Sequence, residues 1–409
     1  MRCFIKRAGL IVCTVCLMLA TDKQPVRAAS FFVLDVIQGS PIASTPQATA
    51  NGVSADGSVV VGSSNAKAFR WTRSSGVVPI GNISSHFGES ANAASANGQI
   101  IVGSVDFDTD IRSEDHEEAF RWNANEGLVL MGDLPLGHLE YPVSSARGVS
   151  ADGSVIVGLG HDEDVAFRWT AATGMIPLPS LPGGPNDTEA WAVSADGAIV
   201  VGDSERFLGE EEVTEAVYWT AQNEVVPIGD LPGGEFCSWA TGVSADGGVI
   251  VGYGHDMSGT AAFRWSASTG MVDLGYLKEA SPHSHASGVS ADGSVVVGQS
   301  GLEAFIWDEI HGMRDLKDVL TTDYGLNLTG WTLWEATAVS ANGKTIVGMG
   351  LMPTDELHAP QWRAWVALIP EPSTLLLGTL GIVLAAIWRT NRVCGTPGYS
   401  GIGRDIADV

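Results

Sequence analysis

The chain has 409 residues, 45% of them hydrophobic, and a formal net charge of −25 from 47 acidic and 22 basic residues. That balance argues against nucleic-acid binding and against anionic membrane surfaces; it suits solubility outside the cell, cation binding, or a matrix of basic or neutral polymers. Cys237 is the only cysteine between residues 31 and 368, which excludes a disulfide framework there and leaves stability to core burial.

The first stretch carries Arg2, Lys6 and Arg7, then an apolar run from Ala8 to Ala20, then Val26-Arg27-Ala28. A basic end, a short apolar core and a small-x-small site describe a secretory signal peptide over residues 1–28. Its removal takes away five basic residues and one acid, moving the charge from −25 to −29. Phe31-Phe32-Val33-Leu34-Asp35-Val36 follows, a β-prone run with no partner nearby in sequence.

From there one decapeptide governs the chain. Val289-Ser290-Ala291-Asp292-Gly293-Ser294-Val295-Val296-Val297-Gly298 has six relatives, beginning at Val53, Ala94, Val149, Val193, Val243 and Val339, at steps of 41 to 55 residues. Repetition at that period marks a repeat architecture. In the fifth copy, two β-prone runs flank Asp246-Gly247, a hairpin signal because the turn needs positive φ. The apolar run Val249-Ile250-Val251 does not alternate, so that strand is expected to be covered on both faces. Ala262-Phe263-Arg264-Trp265 predicts a third strand with both aromatics on one side, and Met271-Val272-Asp273 a fourth after the Thr269-Gly270 turn.

Four antiparallel strands per unit, seven times over, predict an all-β chain: a seven-bladed β-propeller over residues 31–368. The seventh unit ends at Trp365-Val366-Ala367-Leu368 without a fourth strand, so the run from Phe31 is expected to supply it and close the ring. The first-to-second and third-to-fourth links are short, whereas the other two vary, from Ser63–Lys67 to Ser104–Glu118 and Asp203–Glu215. Variable links share one side of the disc, so one face is expected to be uniform and the other, irregular face to be the working one.

The decapeptide, with the following Ala-Phe-Arg-Trp and Ile228-Gly229-Asp230-Leu231-Pro232-Gly233-Gly234, resembles the HAF family of probable extracellular repeats. The His that leads that family's His-Ala-Phe is replaced here by Lys67, Glu118 and Val165. The resemblance implies a secreted bacterial protein of unassigned biochemistry.

Beyond Leu368, Pro370-Glu371-Pro372-Ser373 precedes fifteen mostly apolar residues, Thr374 to Trp388, and then Arg389 and Arg392. The apolar run is short against the roughly 20 residues of a spanning helix, and the arginines place its end in the cytoplasm. The tripartite pattern over residues 369–392 is similar to a PEP-CTERM sorting signal, also known as the ice-binding protein C-terminal domain. It implies one C-terminal hydrophobic transmembrane helix, an exosortase cutting near Pro370–Ser373, and delivery to the cell surface or exopolysaccharide matrix. Residues 393–409 depart from that pattern, since such signals end soon after the arginines.

Candidate chemistry is sparse. Asp106, Asp108, Asp110 and Glu117 occupy the first, third, fifth and twelfth places of a calcium loop, but Ile111 stands where Gly makes the sharp turn; a solvated acidic loop is the favoured reading. The decapeptide aspartates Asp56, Asp152, Asp196, Asp246 and Asp292 persist whether or not an Arg occupies the third strand, so turn formation, not charge pairing, accounts for them. His161-Asp162, His255-Asp256, His283 and His285 sit in loops of the irregular face and, without a third convergent group, read as surface residues, as do Glu210, Glu211 and Glu212. The third-strand tryptophans are expected in the core. Trp191, Trp239, Trp331 and Trp334 fall elsewhere and are candidates for stacking on sugar rings. No nucleophile elbow, phosphate loop, zinc-spaced Cys/His set or nucleotide fingerprint occurs. The expected function is therefore a non-enzymatic, exported surface or matrix repeat protein; the alternatives are a carbohydrate-binding propeller and a polysaccharide hydrolase or lyase.

Overall fold

The computed structural model describes residues 28–37, 47–81, 88–107, 117–135, 143–160, 165–278, 282–353 and 361–370. The expected signal peptide up to residue 27, Asp108, Asp110, His161, Asp162 and everything after Pro370, including Glu371, Pro372, Ser373, Arg389, Arg392 and the C-terminal apolar run, lie outside them. Among the described residues no helix is long and apolar enough to cross a membrane.

The repeats form seven four-stranded antiparallel sheets. Blades 1 to 6 span Ala48–Pro79, Gly88–Leu130, Ser144–Pro177, Thr188–Gly229, Gly233–Asp273 and Ser284–Asp315. Blade 7 comprises Thr332–Val339, Thr345–Met352 and Gln361–Leu368, and its outer strand is Ser30–Val33 from the start of the repeat region. The register is Ser30 opposite Leu368, Phe31 opposite Ala367, Phe32 opposite Val366 and Val33 opposite Trp365, and Leu34 N–H donates to the Ala364 carbonyl at 2.9 Å. Closure is as expected. It leaves the last blade with no unpaired strand at its outer edge other than the one the early segment provides.

The core lies between blades, which explains the unalternating second strand. Val60 packs towards blade 7 with Val347, while its neighbour Val61 packs towards blade 2 with Ile101. Ile250 and Val251 divide the same way between blades 4 and 6. A strand with a neighbouring sheet on each side must be apolar at consecutive positions. Third-strand Phe69, Phe120, Phe167, Phe263 and Phe305 are fully buried, and the Trp two residues after each packs in the same cluster.

The decapeptide builds the uniform face. In blade 5, the Ser244 hydroxyl donates to Asp246 Oδ1 (2.7 Å) and accepts from Val249 N–H (2.9 Å), while Asp246 Oδ1 also accepts from Gly248 N–H. The same pattern recurs at Ser54/Asp56, Ser95/Asn97, Ser150/Asp152, Ser194/Asp196, Ser290/Asp292 and Ser340/Asn342. Asn serves as well as Asp because the bonds common to all seven turns use one acceptor oxygen. Between turns, backbone bonds run in a circuit: Ala96 N–H to Ala151, Ala151 to Ala195, Ala195 to Ala245, Ala245 to Ala291, Ala291 to Ala341 and Ala341 to Ala55, closed by Asp56 N–H to Ala96 (2.9–3.4 Å). Each turn also leans on the blade before it. Gly247, at φ +74°, lies so close to Ile199 that a Cβ would sit 2.6 Å from its Cγ1.

Three features depart from the sequence expectation. The Asp203–Glu215 link is an extended hairpin, with Phe207 opposite Glu212 and Leu208 opposite Glu211. Leu316–Asp318 and Val319–Asp323, between blades 6 and 7, form a short α-turn and π-turn whose Leu316, Val319 and Leu320 are buried. They pack with Trp331, which is 8% exposed and edge-on to Phe31 (5.4 Å between centroids). Trp331 is thus core, and its candidacy as a sugar-stacking surface is corrected.

Candidate functional site at the mouth of the channel

The first strand of each blade is innermost, and every one carries a β-bulge after a fully buried Ala: Ala50, Ala91, Ala146, Ala190, Ala240, Ala286 and Ala336. A bulge re-aims the side chain that follows. Here that residue reaches the next blade: Asn51 Nδ2 to the Ala91 carbonyl (3.0 Å), Asn92 to Ala146 (3.0 Å), Thr241 to Ala286 (2.6 Å) and Thr337 to Ala50 (2.5 Å). Arg147 donates to Glu189 Oε2 (2.6 Å) and Ser287 to Glu335 Oε1 (2.9 Å). Trp191 alone turns to its own blade, its Nε1 donating to Asp203 Oδ1 at 3.0 Å. These contacts form a second belt, above the turn circuit.

The residue before each Ala lies nearer the irregular face. In blades 1 to 3 it is Thr49, Ser90 and Ser145, whereas in blades 4 to 7 it is Glu189, Trp239, His285 and Glu335. Sevenfold repetition is abandoned where the side chains share a common space. On the small-residue side, Thr49 and Ser63 merely bond each other (3.0 Å).

On the other side the residues form a connected set. Trp239 stacks on Tyr253 opposite it on the next strand, with centroids 4.9 Å apart and planes at 23°. His255 meets the Trp239 ring edge-on at 6.1 Å, and His285 meets Tyr253 at 5.9 Å. His285 Nε2 is 3.5 Å from Glu335. Burial favours the neutral form of Glu335, but hydrogen bonds from His285 and Ser287 and the His285 charge outweigh it and hold the carboxyl below its ordinary range. Glu189 and Asp203 are direct cross-strand partners. Arg147 satisfies Glu189 and lies over the Trp191 ring at 3.9 Å. Asp203 is only 6% exposed; burial, then the Glu189 charge, raises its pKa well above an ordinary aspartate. Burial likewise pushes the Tyr253 hydroxyl up to about 12, with Asp203 and Glu189 adding to the shift. The mouth thus gathers the carboxyls of Glu189, Asp203 and Glu335 beside an aromatic platform.

Of the sequence candidates, Trp191 and Trp239 belong to this set. Trp334 sits on the innermost strand of blade 7, edge-on to Trp362 at 5.2 Å. Asp106 and Glu117 face each other across blade 2, at the end of its second strand and the start of its third, and among the described residues no group of three or more His, Cys, Asp or Glu is placed to hold a metal. Of the third-strand arginines, Arg168 donates to the Gly197 and Thr220 carbonyls (both 2.9 Å) and Arg264 to that of Gly293 (3.1 Å), whereas Arg121 pairs with Glu126 (3.1 Å); none of these bonds goes to a turn aspartate. Sequence reading missed Glu189, Asp203, Tyr253, Arg147 and Glu335. Aligning the repeats on the Ala three residues before the decapeptide, and asking what precedes it, would have isolated Glu189 and Glu335.

No protein-family model and no curated protein matches the chain. Among solved structures it is similar to TolB from Acinetobacter baumannii (12% identity, TM-score 0.38, 56% of this chain and 52% of that one). It is also similar to putative TolB from Agrobacterium tumefaciens (13%, 0.40, 60% and 88%). A third likeness is to the β-propeller domain of Myceliophteria thermophila Cps50 (Swd1) (12%, 0.48, 83% and 100%). The match spans about half the length of the A. baumannii protein. These are likenesses of fold, and the propeller assignment stands on the strand pairing itself.

Proposed function

We propose that the chain is an exported, surface- or matrix-associated propeller that binds a glycan at the irregular mouth of its channel. One observation carries the binding site: at the level of the inner ring nearest the irregular face, Thr49, Ser90 and Ser145 of blades 1 to 3 give way to Glu189, Trp239, His285 and Glu335 of blades 4 to 7, with Tyr253 stacked on Trp239. Sugars present apolar C–H faces and hydroxyl donors together, and an aromatic ring next to acceptor carboxylates answers both. Export rests on the signal-peptide pattern, and delivery to the surface on the resemblance of Pro370-Glu371-Pro372-Ser373, the apolar run, Arg389 and Arg392 to an exosortase-processed tail. Glycan-array binding by the secreted chain tests the reading. Trp239→Ala should abolish the signal and Thr49→Ala, at the matching place in blade 1, should leave it intact; equal signals from both would overturn it.

The Glu189–Asp203 pair supports a second, catalytic reading. Glu189, bonded to Arg147, lies cross-strand from Asp203, whose pKa burial raises, and two carboxyls in such unlike surroundings are the arrangement by which glycosidic bonds are cut with water. Turnover of a bound glycan, lost in Asp203→Asn while binding survives, would establish it. Binding without turnover would reject it.

A further inference from the structure

A separate opening lies on the uniform face, where third strands of consecutive blades meet. At the junction of blades 3 and 4 this notch is filled: Arg168, 7% exposed, extends into it and donates to the Gly197 and Thr220 carbonyls of blade 4. At the junction of blades 5 and 6, Arg264 likewise donates to Gly293. The residue at the same place between blades 1 and 2 is Arg70, the third-strand partner of Val61 as Arg168 is of Val157. Arg70 makes no such bond. Instead a cleft of about 650 Å³ opens there, lined by Arg70, Gln99, Ile100, Arg121, Trp122 and Asn125.

The chemistry of the lining is specific. Arg70 enters the cleft from blade 1, and Arg121 and Glu126 also line it, Glu126 being the one carboxylate among the lining residues, so the cleft carries a local excess of positive charge in a chain of net −25. Glu126 shows what the cleft accepts: its Oε2 takes a bond from Arg121 Nη1 at 3.1 Å and another from Asn123 Nδ2. Arg121 is thus half-satisfied by an internal carboxylate, its Nε being buried and unpartnered, and Arg70 does not make the carbonyl bond that Arg168 and Arg264 make. Guanidinium forks match planar carboxylates in two parallel bonds. Trp122 supplies an apolar wall, and Gln99 and Asn125 supply donors and acceptors for hydroxyls. At physiological salt the remote acidic surface is screened beyond about 8 Å, so the chain's overall charge does not forbid an anion here.

We infer that the cleft between blades 1 and 2 is a second binding site, taking a carboxylate-bearing sugar such as a uronic acid, with Arg70 on the carboxylate. The site is on the face opposite the channel mouth and uses none of its residues, so it stands or falls independently of the proposed function.

Calorimetric titration of the secreted chain with glucuronate, glucose and inorganic phosphate tests it. Glucuronate should bind and glucose should not, and Arg70→Gln should weaken glucuronate at least tenfold with an unchanged melting temperature. Glu126→Gln, which removes the competing carboxylate, should strengthen it several-fold. Trp239→Ala should have no effect on this binding, which separates the cleft from the mouth. Unaltered affinity in Arg70→Gln would overturn the site. Phosphate binding as tightly as glucuronate would overturn the sugar assignment, and a crystal structure with Arg70 on the Gly98 carbonyl, in the pose of Arg168, would overturn both.

Discussion

Ser244→Ala is the most informative perturbation of the turn circuit, because its cost can be worked from two hydrogen bonds. The side chain is 1% exposed, donates to Asp246 Oδ1 and accepts from Val249 N–H. Removing the hydroxyl leaves the Val249 N–H, on a residue only 9% exposed, without its acceptor. A buried donor left unsatisfied costs about 1–3 kcal/mol. The lost bond to Asp246 adds less, since that carboxylate lies at the surface and water replaces the hydroxyl. A total of about 2–3 kcal/mol follows. At about 2.1 cal/mol/K per residue, a unit spanning Ala28–Ile369 unfolds with an entropy of roughly 0.7 kcal/mol/K, so melting should fall by about 3–4 °C. Scanning calorimetry reads this directly. Ser268→Ala, at an exposed outer turn, is the control and should move melting by less than about 0.7 °C, being worth no more than about 0.5 kcal/mol. Equal melting of the two variants would refute the claim that the decapeptide serine holds the turn.

Other outcomes follow from the same geometry. Gly247→Val places a β-branched side chain at φ +74° against Ile199, and strain alone should cost about 1–3 kcal/mol, read as a lower urea midpoint. Leu34→Ala removes a side chain 1% exposed from the core between blades 7 and 1; a loss of about 2–5 kcal/mol is expected. Loosening that segment should also expose the edge of blade 7, giving concentration-dependent association by light scattering. Asp203 has a raised folded pKa, so its contribution is fully present below the ordinary aspartate value near about 3.9 and is lost as pH rises through the folded value. Wild type should therefore lose stability relative to Asp203→Asn as pH climbs from about 4, and a pH-independent difference would contradict the burial argument. Asp152, Asp196, Asp246 and Asp292 run the other way: serine hydroxyls and backbone N–H groups lower their pKa values. Their stabilisation is present above the ordinary aspartate value and should fade as pH falls through the lowered ones, seen as acid unfolding that is blunted in Asp246→Asn.

Much of the fold was legible because the repeat displays its own constraints. Asp-Gly at the turn, the unalternating Val-Ile-Val strand and the paired Phe and Trp each have one structural use, and seven copies show which features persist. The unpaired run at Phe31 found its partner by the same reasoning. Trp331 could not be placed, because its burial depends on a helical turn whose Leu316 and Leu320 belong to no repeat. Asp203–Glu215 looked like a loop because length alone does not separate a loop from strands that run on past the sheet. The mouth was hidden for a different reason. The bulge after each inner Ala breaks the period-two rule, so the direction of Trp191 or Arg147 cannot be counted from the strand pattern. Only the partner across the bulge reveals that Glu189 meets Asp203 and that Trp239 meets Tyr253.

A crystal structure of the chain with the glycan that it retains on an array would test the division of labour between the two faces most directly. The expected result is sugar density packed on Trp239 and Tyr253, within hydrogen-bonding reach of Glu189, His285 or Glu335. Density confined to the outer rim or to the turn circuit, with the mouth holding only water, would contradict it.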